Sequence, residues 1–215
     1  DTVTNTQLCS DASGKELTQQ PIHLMTLADV QALECGLRDH KRFPLQIRQS
    51  AHPPRFSEVL SLEALWNAKP LYNLEIKTDQ SHTTALKEKA VEALYVELNA
   101  LLQVDPTLSE RITLQSFDFD VLRIAQRRLP KLRKSALFEP KIDRTTHPPR
   151  VLIGNPEEMV HIADQIGASV ISPYHEVVNQ ALIDQAHARG FKVIPWTVNE
   201  SNRMIDLIKL GVDGL

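Results

Sequence analysis

Cysteine is scarce in this chain of 215 residues: only Cys9 and Cys35 are present, and their spacing is neither that of a metal site nor that of a redox pair. With no dense cysteine framework the fold must rest on its core, and the redox compartment stays open. Long apolar runs are lacking as well, so no stretch reads as a membrane span. An excess of one charge is also missing. The 24 Lys and Arg against 27 Asp and Glu leave a net charge of −3, which provides no basic field for nucleic acid. No Gly-rich phosphate loop follows any candidate strand, which speaks against nucleotide-binding sheets. The opening DTVTNTQ has neither an initiator Met nor a signal peptide, and so reads as beginning inside a longer natural chain.

What is present is organised around residues 70–79, PLYNLEIKTD. Tyr72, Leu74 and Ile76 recur at period two, the pattern of a strand buried on at least one face. Asn73, Glu75 and Lys77 occupy the alternate positions and project from the other side. A carboxylate and an ammonium on a strand that buries both faces must be paired or metal-bound, because desolvating either costs several kcal/mol. The bland alternative is a Glu75–Lys77 ion pair on the polar face of an edge strand.

Ahead of this stretch, residues 1–20 are polar and turn-rich. A short helix begins after the N-cap Thr26, residues 38–55 form a proline-broken surface excursion, and 56–66 resumes helical periodicity. After it, strands and helices alternate. Helices are expected near 83–102, 119–128, 156–166, 179–188 and 201–210, and strands at 112–117, 135–138, 169–172 and 192–197. A polar, proline-rich loop follows 138, and a sixth strand opens at 212–215. Strict alternation predicts parallel strands with crossover helices. The fold class is therefore α/β, and a (β/α)8 TIM barrel is preferred to an open doubly wound sheet. Polar and aromatic residues sit where a barrel keeps its site, at the C-terminal strand ends: Glu75, Lys77, Gln115, Phe117, Glu139, Trp196 and Asn199.

Four patches in order, NLEIK at 73–77, QSFDFDVL at 115–122, VIPWTVN at 193–199 and GVDGL at 211–215, resemble the glycerophosphodiester phosphodiesterase family of TIM barrels. The resemblance implies that the chain is one barrel domain covering about strands 3 to 8. Residues 1–55 would be the insertion after strand 2, and 56–215 the strand–helix units. It also implies that a His-Arg-Gly strand, a Glu-x-Asp strand and a His-Asp dipeptide lie ahead of residue 1, with Asp1 as the Asp of that dipeptide. The family's acid and base are those upstream histidines, so no catalytic residue is expected among these 215.

What the resemblance implies for the remaining site is metal-dependent hydrolysis of a glycerophosphodiester to glycerol 3-phosphate and an alcohol. Glu75 would bind a hard divalent cation, Mg²⁺ or Ca²⁺, with two further carboxylates upstream. Lys77 would face non-bridging phosphate oxygens, and Trp196 would wall the glycerol pocket, unless it is simply a packed core aromatic. Asp118 and Asp120 read as helix caps, and of the scattered histidines only His175, in SPYH, follows a strand end. The rival readings are a sphingomyelinase-D-like phospholipase and a non-catalytic barrel used for binding or structure. The partner is a small glycerophosphodiester, and the setting a bacterial periplasm or cytoplasm, with roles in lipid and glycerol metabolism.

Overall fold

The computed structural model describes all residues except 1–3, 5, 12, 16, 40–42, 79–80, 146, 148–149 and 153, with the backbone alone at 64, 66 and 150–152. Asp1 and His40 therefore lie outside the described residues. The chain divides into two compact units, Asp1–Pro70 and Leu71–Leu215.

The first unit is built of loops, a 3₁₀ turn at Ile22–Leu24 and the helices α1 (Leu27–Gln31) and α2 (Phe56–Trp66). Thr26 caps α1 in a reciprocal arrangement with Asp29, which satisfies two of the free N–H groups of the helix start. Cys9 and Cys35 form a disulfide beside an antiparallel bridge from Ser10 to Glu34. The Glu34 carboxylate accepts hydrogen bonds from Gly36 N, Ala51 N and Ser50 Oγ, and these bonds hold it below the usual carboxylate range. Residues 38–55 contain no helix or strand among those described, as the prolines imply. The helix α2 falls in this first unit, and the alternation of strand and helix begins after Pro70.

The second unit holds β1 (Tyr72–Glu75), α3 (Thr84–Val104), α4 (Leu108–Arg111), β2 (Ile112–Ser116), α5 (Phe119–Arg128) and β3 (Arg133–Phe138). A hairpin of β4 (Lys141–Asp143) and β5 (Arg150–Leu152) follows, then α6 (Pro156–Gln165), β6 (Val170–Pro173), α7 (Gln180–Ala188), β7 (Lys192–Val193) and α8 (Ser201–Leu210). Side chains cap the helix starts. Thr83 accepts from Leu86 N, Asn155 from Glu157 N with Pro156 at the first helical position, and Asn179 from Leu182 N. Gly211 closes α8 at φ 94°, a left-handed conformation that favours glycine.

Five parallel strands form one sheet in the order β1-β2-β3-β6-β7. Each strand is added beside its predecessor in the sheet, with no reversal of direction. A doubly wound sheet needs such a reversal, whereas a barrel does not. Curvature is visible too. Phe117, just past β2, and Trp196, just past β7, meet with ring centroids 5.1 Å apart. Two strands lie between theirs, and a flat sheet would hold the ends about 14 Å apart. The face carrying these rings is concave.

The opposite, convex face packs on the helices. Ala136, Phe138, Ile171 and Val193 from the strands meet Leu122, Val160, Ala163, Leu182, Ile183 and Leu207 in one core. Lys134 points into this layer as well, almost fully buried, with its ammonium donating to Leu129 O at 2.7 Å. Two expectations need correction. The loop after 138 contains the β4–β5 hairpin, where local pairing of Lys141–Asp143 with Arg150–Leu152 overrides a polar composition. Residues 212–215 form no strand; Asp213 instead bonds to Val193 through both its backbone N–H, 2.9 Å from the carbonyl, and its carboxylate, 2.8 Å from the N–H.

Candidate active site

Period-two alternation puts Asn73, Glu75 and Lys77 on the concave face with Gln115 and Phe117. The register confirms the neighbours: Asn73 opposes Thr113 and Glu75 opposes Gln115. Asn73 Nδ2 donates to Gln115 Oε1 at 2.7 Å, so the two amides are locked together one step below Glu75. At the rim, Lys77 Nζ lies 3.8 Å from Glu75 Oε2, with the two side chains 44% and 24% exposed. That separation is about 1 Å longer than a charge-assisted hydrogen bond. The pair the bland reading foresees does exist. It is loose and faces solvent at the C-terminal end of a strand.

The exit of β1 is held from behind. Ser116 Oγ donates to Ile76 O at 2.7 Å and accepts from Asp118 N at 3.1 Å. Thr78 Oγ1 donates to Asp118 Oδ2 at 2.9 Å, and Lys87 Nζ from α3 lies 2.8 Å from the same oxygen. Burial alone would raise the Asp118 pKa; the bonds from Lys87 and Thr78 outweigh it, and the carboxyl sits below its usual range. The same hydrogen bond to Asp118 leads the causes that raise the Lys87 ammonium, against its desolvation. Asp118 also caps α5 through Asp120 N. Asp118 is the cap the sequence reads, whereas Asp120 lies inside the first turn of α5 and pairs with Lys87 and Arg123; the buried ion pair of Asp118 with Lys87 was not foreseen. A lysine one helix away carries no local signal of such a pairing.

Beyond β6 and β7 lies an aromatic rim. Trp196 is half-buried, packs edge-on against Phe117, and meets Tyr174 at 5.5 Å with planes 65° apart. Its indole N–H donates to Ser172 O at 3.0 Å. The donor is thus spent on the strand, and the ring itself is what Trp196 can offer a ligand. His175 stacks by Tyr174 with centroids 4.6 Å apart, and Arg203 of α8 donates to both its Nδ1 and its carbonyl. Desolvation and then the Arg203 charge lower the His175 pKa, against an opposing pull from Glu176. Glu139, exposed after β3, borders a small cavity of about 80 Å³ with Phe138, Asn155, Met159 and Val177. Asn199 lies in the exposed connection to α8.

Among the described residues, no group of three or more His, Cys, Asp or Glu side chains is placed to hold a metal ion. Glu75 offers a single hard oxygen ligand. Elsewhere the histidines make peripheral contacts: His52 with Glu58, His161 with Gln165 and His187 with Asp213.

A parallel sheet in barrel order, with charged and aromatic side chains gathered at its C-terminal rim, is the arrangement in which a TIM barrel keeps its site. The chain belongs to the glycerophosphoryl diester phosphodiesterase family, whose profile matches residues 3–215. It is 25% identical to a glycerophosphodiester phosphodiesterase of Caldanaerobacter subterraneus subsp. tengcongensis over 190 residues, which are 88% of this chain and 66% of that relative. This chain thus spans slightly less than two thirds of that relative's length. Among solved structures, a provisionally assigned glycerophosphoryl diester phosphodiesterase from Silicibacter pomeroyi DSS-3 superposes with a TM-score of 0.80 at 27% identity, covering all of this chain and 72% of that one. A phosphodiesterase from Oleispira antarctica, solved in complex with the product sn-glycerol-3-phosphate, shares the fold with a TM-score of 0.65 at 15% identity, over 92% of this chain and 68% of that one. No described helix is long and apolar enough to cross a membrane.

Proposed function

We propose that the protein hydrolyses a glycerophosphodiester to glycerol 3-phosphate and an alcohol, with Glu75, Lys77 and Trp196 forming part of its site. The observation that carries this reading is the loose Glu75–Lys77 pair on the concave rim, within a chain matched to the family across residues 3–215. Phosphodiester hydrolysis brings water onto an anionic phosphorus, breaks the bond to the alcohol oxygen and leaves a phosphomonoester. Repulsion must be neutralised before that oxygen can leave. Lys77 is a compact cation for the non-bridging oxygens. Glu75 is a ligand for a divalent cation of the Mg²⁺ type, which takes one or two carboxylates and completes its shell with water and phosphate oxygens. When bound, the ion would supply Lewis-acid stabilisation of the phosphoryl charge. Trp196 presents a rigid ring to the uncharged part of the substrate. The proton transfers are assigned to none of the residues described.

The test is Glu75→Gln in the full-length natural protein, assayed on glycerophosphocholine with and without chelator. Loss of most activity with an unchanged melting curve, and recovery of the chelated wild type by Mg²⁺ or Ca²⁺, is the expected result. Full activity in chelator removes the cation from the reading. A cyclic phosphate product in place of glycerol 3-phosphate assigns the site to internal phosphoryl transfer instead.

A further inference from the structure

The strand β7 is only two residues long, Lys192–Val193, but its register against β6 continues past it: Ile194 N donates to Ile171 O at 3.0 Å. Trp196 is kept beside β6 by an isolated parallel bridge to Tyr174 and by its N–H bond to Pro173 O at 3.1 Å. Its carbonyl accepts from His175 N at 2.8 Å. Residues 197–200 then run to α8, with Thr197, Asn199 and Glu200 exposed. His175 is thus one of the ties, beside the bonds to Pro173 O and Ser172 O, that hold the ring at the candidate site. Arg203, in the first turn of α8, grips that residue at two points: Nε donates to Nδ1 at 3.3 Å and a terminal nitrogen to the carbonyl. We propose that Arg203 is a positioning residue for the aromatic rim, a strut from α8 that fixes His175 and through it the crossed rings of Trp196 and Tyr174. The proposal rests on the reading that Trp196 faces substrate.

Accepting a bond from Arg203 requires an unprotonated Nδ1, so the strut is engaged while the imidazole is neutral. The charged groups that act on His175 are Arg203 from α8 and Glu176 from its own turn; the Tyr174 ring covers one side. A proton on Nδ1 removes the acceptor and sets two cations against each other.

The experiment uses a Trp66→Phe background, which leaves Trp196 as the one indole of these 215 residues. Arg203→Ala is expected to shift Trp196 emission. It should also weaken binding of sn-glycerol 3-phosphate about tenfold while kcat on glycerophosphocholine changes by less than about twofold. In the parent, emission should move toward that of the variant as pH falls below the ordinary His range. His175→Asn, which keeps an acceptor at the Nδ1 position, should retain affinity and lose the pH step. Arg203→Lys keeps the charge but not the forked donor, and should bind with intermediate affinity; it carries the test if the alanine variant fails to fold. Parent-like emission, affinity and pH response in a folded Arg203 variant overturns the strut. Unchanged affinity in Trp196→Ala overturns the reading of the site instead.

Discussion

The two units of this chain solve stability by different means. In Asp1–Pro70 the described apolar side chains that are buried are Cys9 and Leu33, while Leu45 and Ile47 are 95% and 88% exposed. A unit with so little core depends on covalent and polar fasteners: the Cys9–Cys35 bond and the carboxylate of Glu34. In Leu71–Leu215 a sheet and its helices share one continuous apolar core. That core can carry costly features, such as the buried Lys87–Asp118 pair and the lone Lys134. Core size decides which unit can hold charge in its interior.

The sharpest way to break the contrast is to leave a buried charge alone in the second unit. Asp118→Ala strands Lys87 and should cost about 3–5 kcal/mol in chemical denaturation, with the loss absent from hydrogen exchange of the first unit. The same pair sets an acid limit. The folded Asp118 pKa is depressed, so its contribution is complete above the unfolded carboxylate value and disappears as pH falls through the lower folded one. Cys9→Ser is next. Its effect should fall on the first unit, at roughly 3 kcal/mol for a loop of this size, read as faster proteolysis within residues 4–70 while the sheet keeps its protection.

Lys134 sharpens the comparison from the other side. Desolvation lowers its pKa to about 8. The unfolded chain thus holds more protons between about pH 8 and the ordinary lysine value near 10.4, and stability rises with pH across that window. Below it the penalty is fully present. Lys134→Met should stabilise the protein at pH 7 by roughly 1–3 kcal/mol and flatten the alkaline slope; an unchanged slope would show that the ammonium is solvated. The smallest effect belongs to Arg128, which forks onto Glu92 and lies 3.7 Å from the Tyr95 ring on the exposed side of α3 and α5. Arg128→Ala should lower the melting temperature only slightly, with most of the difference from the parent gone in high salt.

Legibility in the sequence followed the range of the interaction. Caps and periods are local, and the caps Thr26 and Asp118 and the span of α5 stand where the sequence puts them. The β4–β5 hairpin was not legible, because three-residue strands carry too little pattern. At the rim, alternation alone gathered Glu75 and Lys77, and the strand ends nominated Phe117 and Trp196. Their closeness was not legible, since it depends on sheet curvature. The grip of Arg203 on His175 joins residues 28 apart in sequence, on different elements, and the Asn73–Gln115 bond spans 42 positions. Neither has a signature shorter than the fold itself.

The order of the sheet also bears on how it is made. β2 pairs with β1, β3 with β2, β6 with β3 and β7 with β6. As the chain emerges during synthesis, each arriving strand finds its partner already present, and the intervening helix is ready to cover the new pair. The loop that must close at each step is about one strand–helix unit long, which keeps the entropy of closure modest and nearly constant. Assembly can therefore proceed as a succession of similar small steps. Pulse-labelled exchange during synthesis would record it as protection advancing from β1 toward β7.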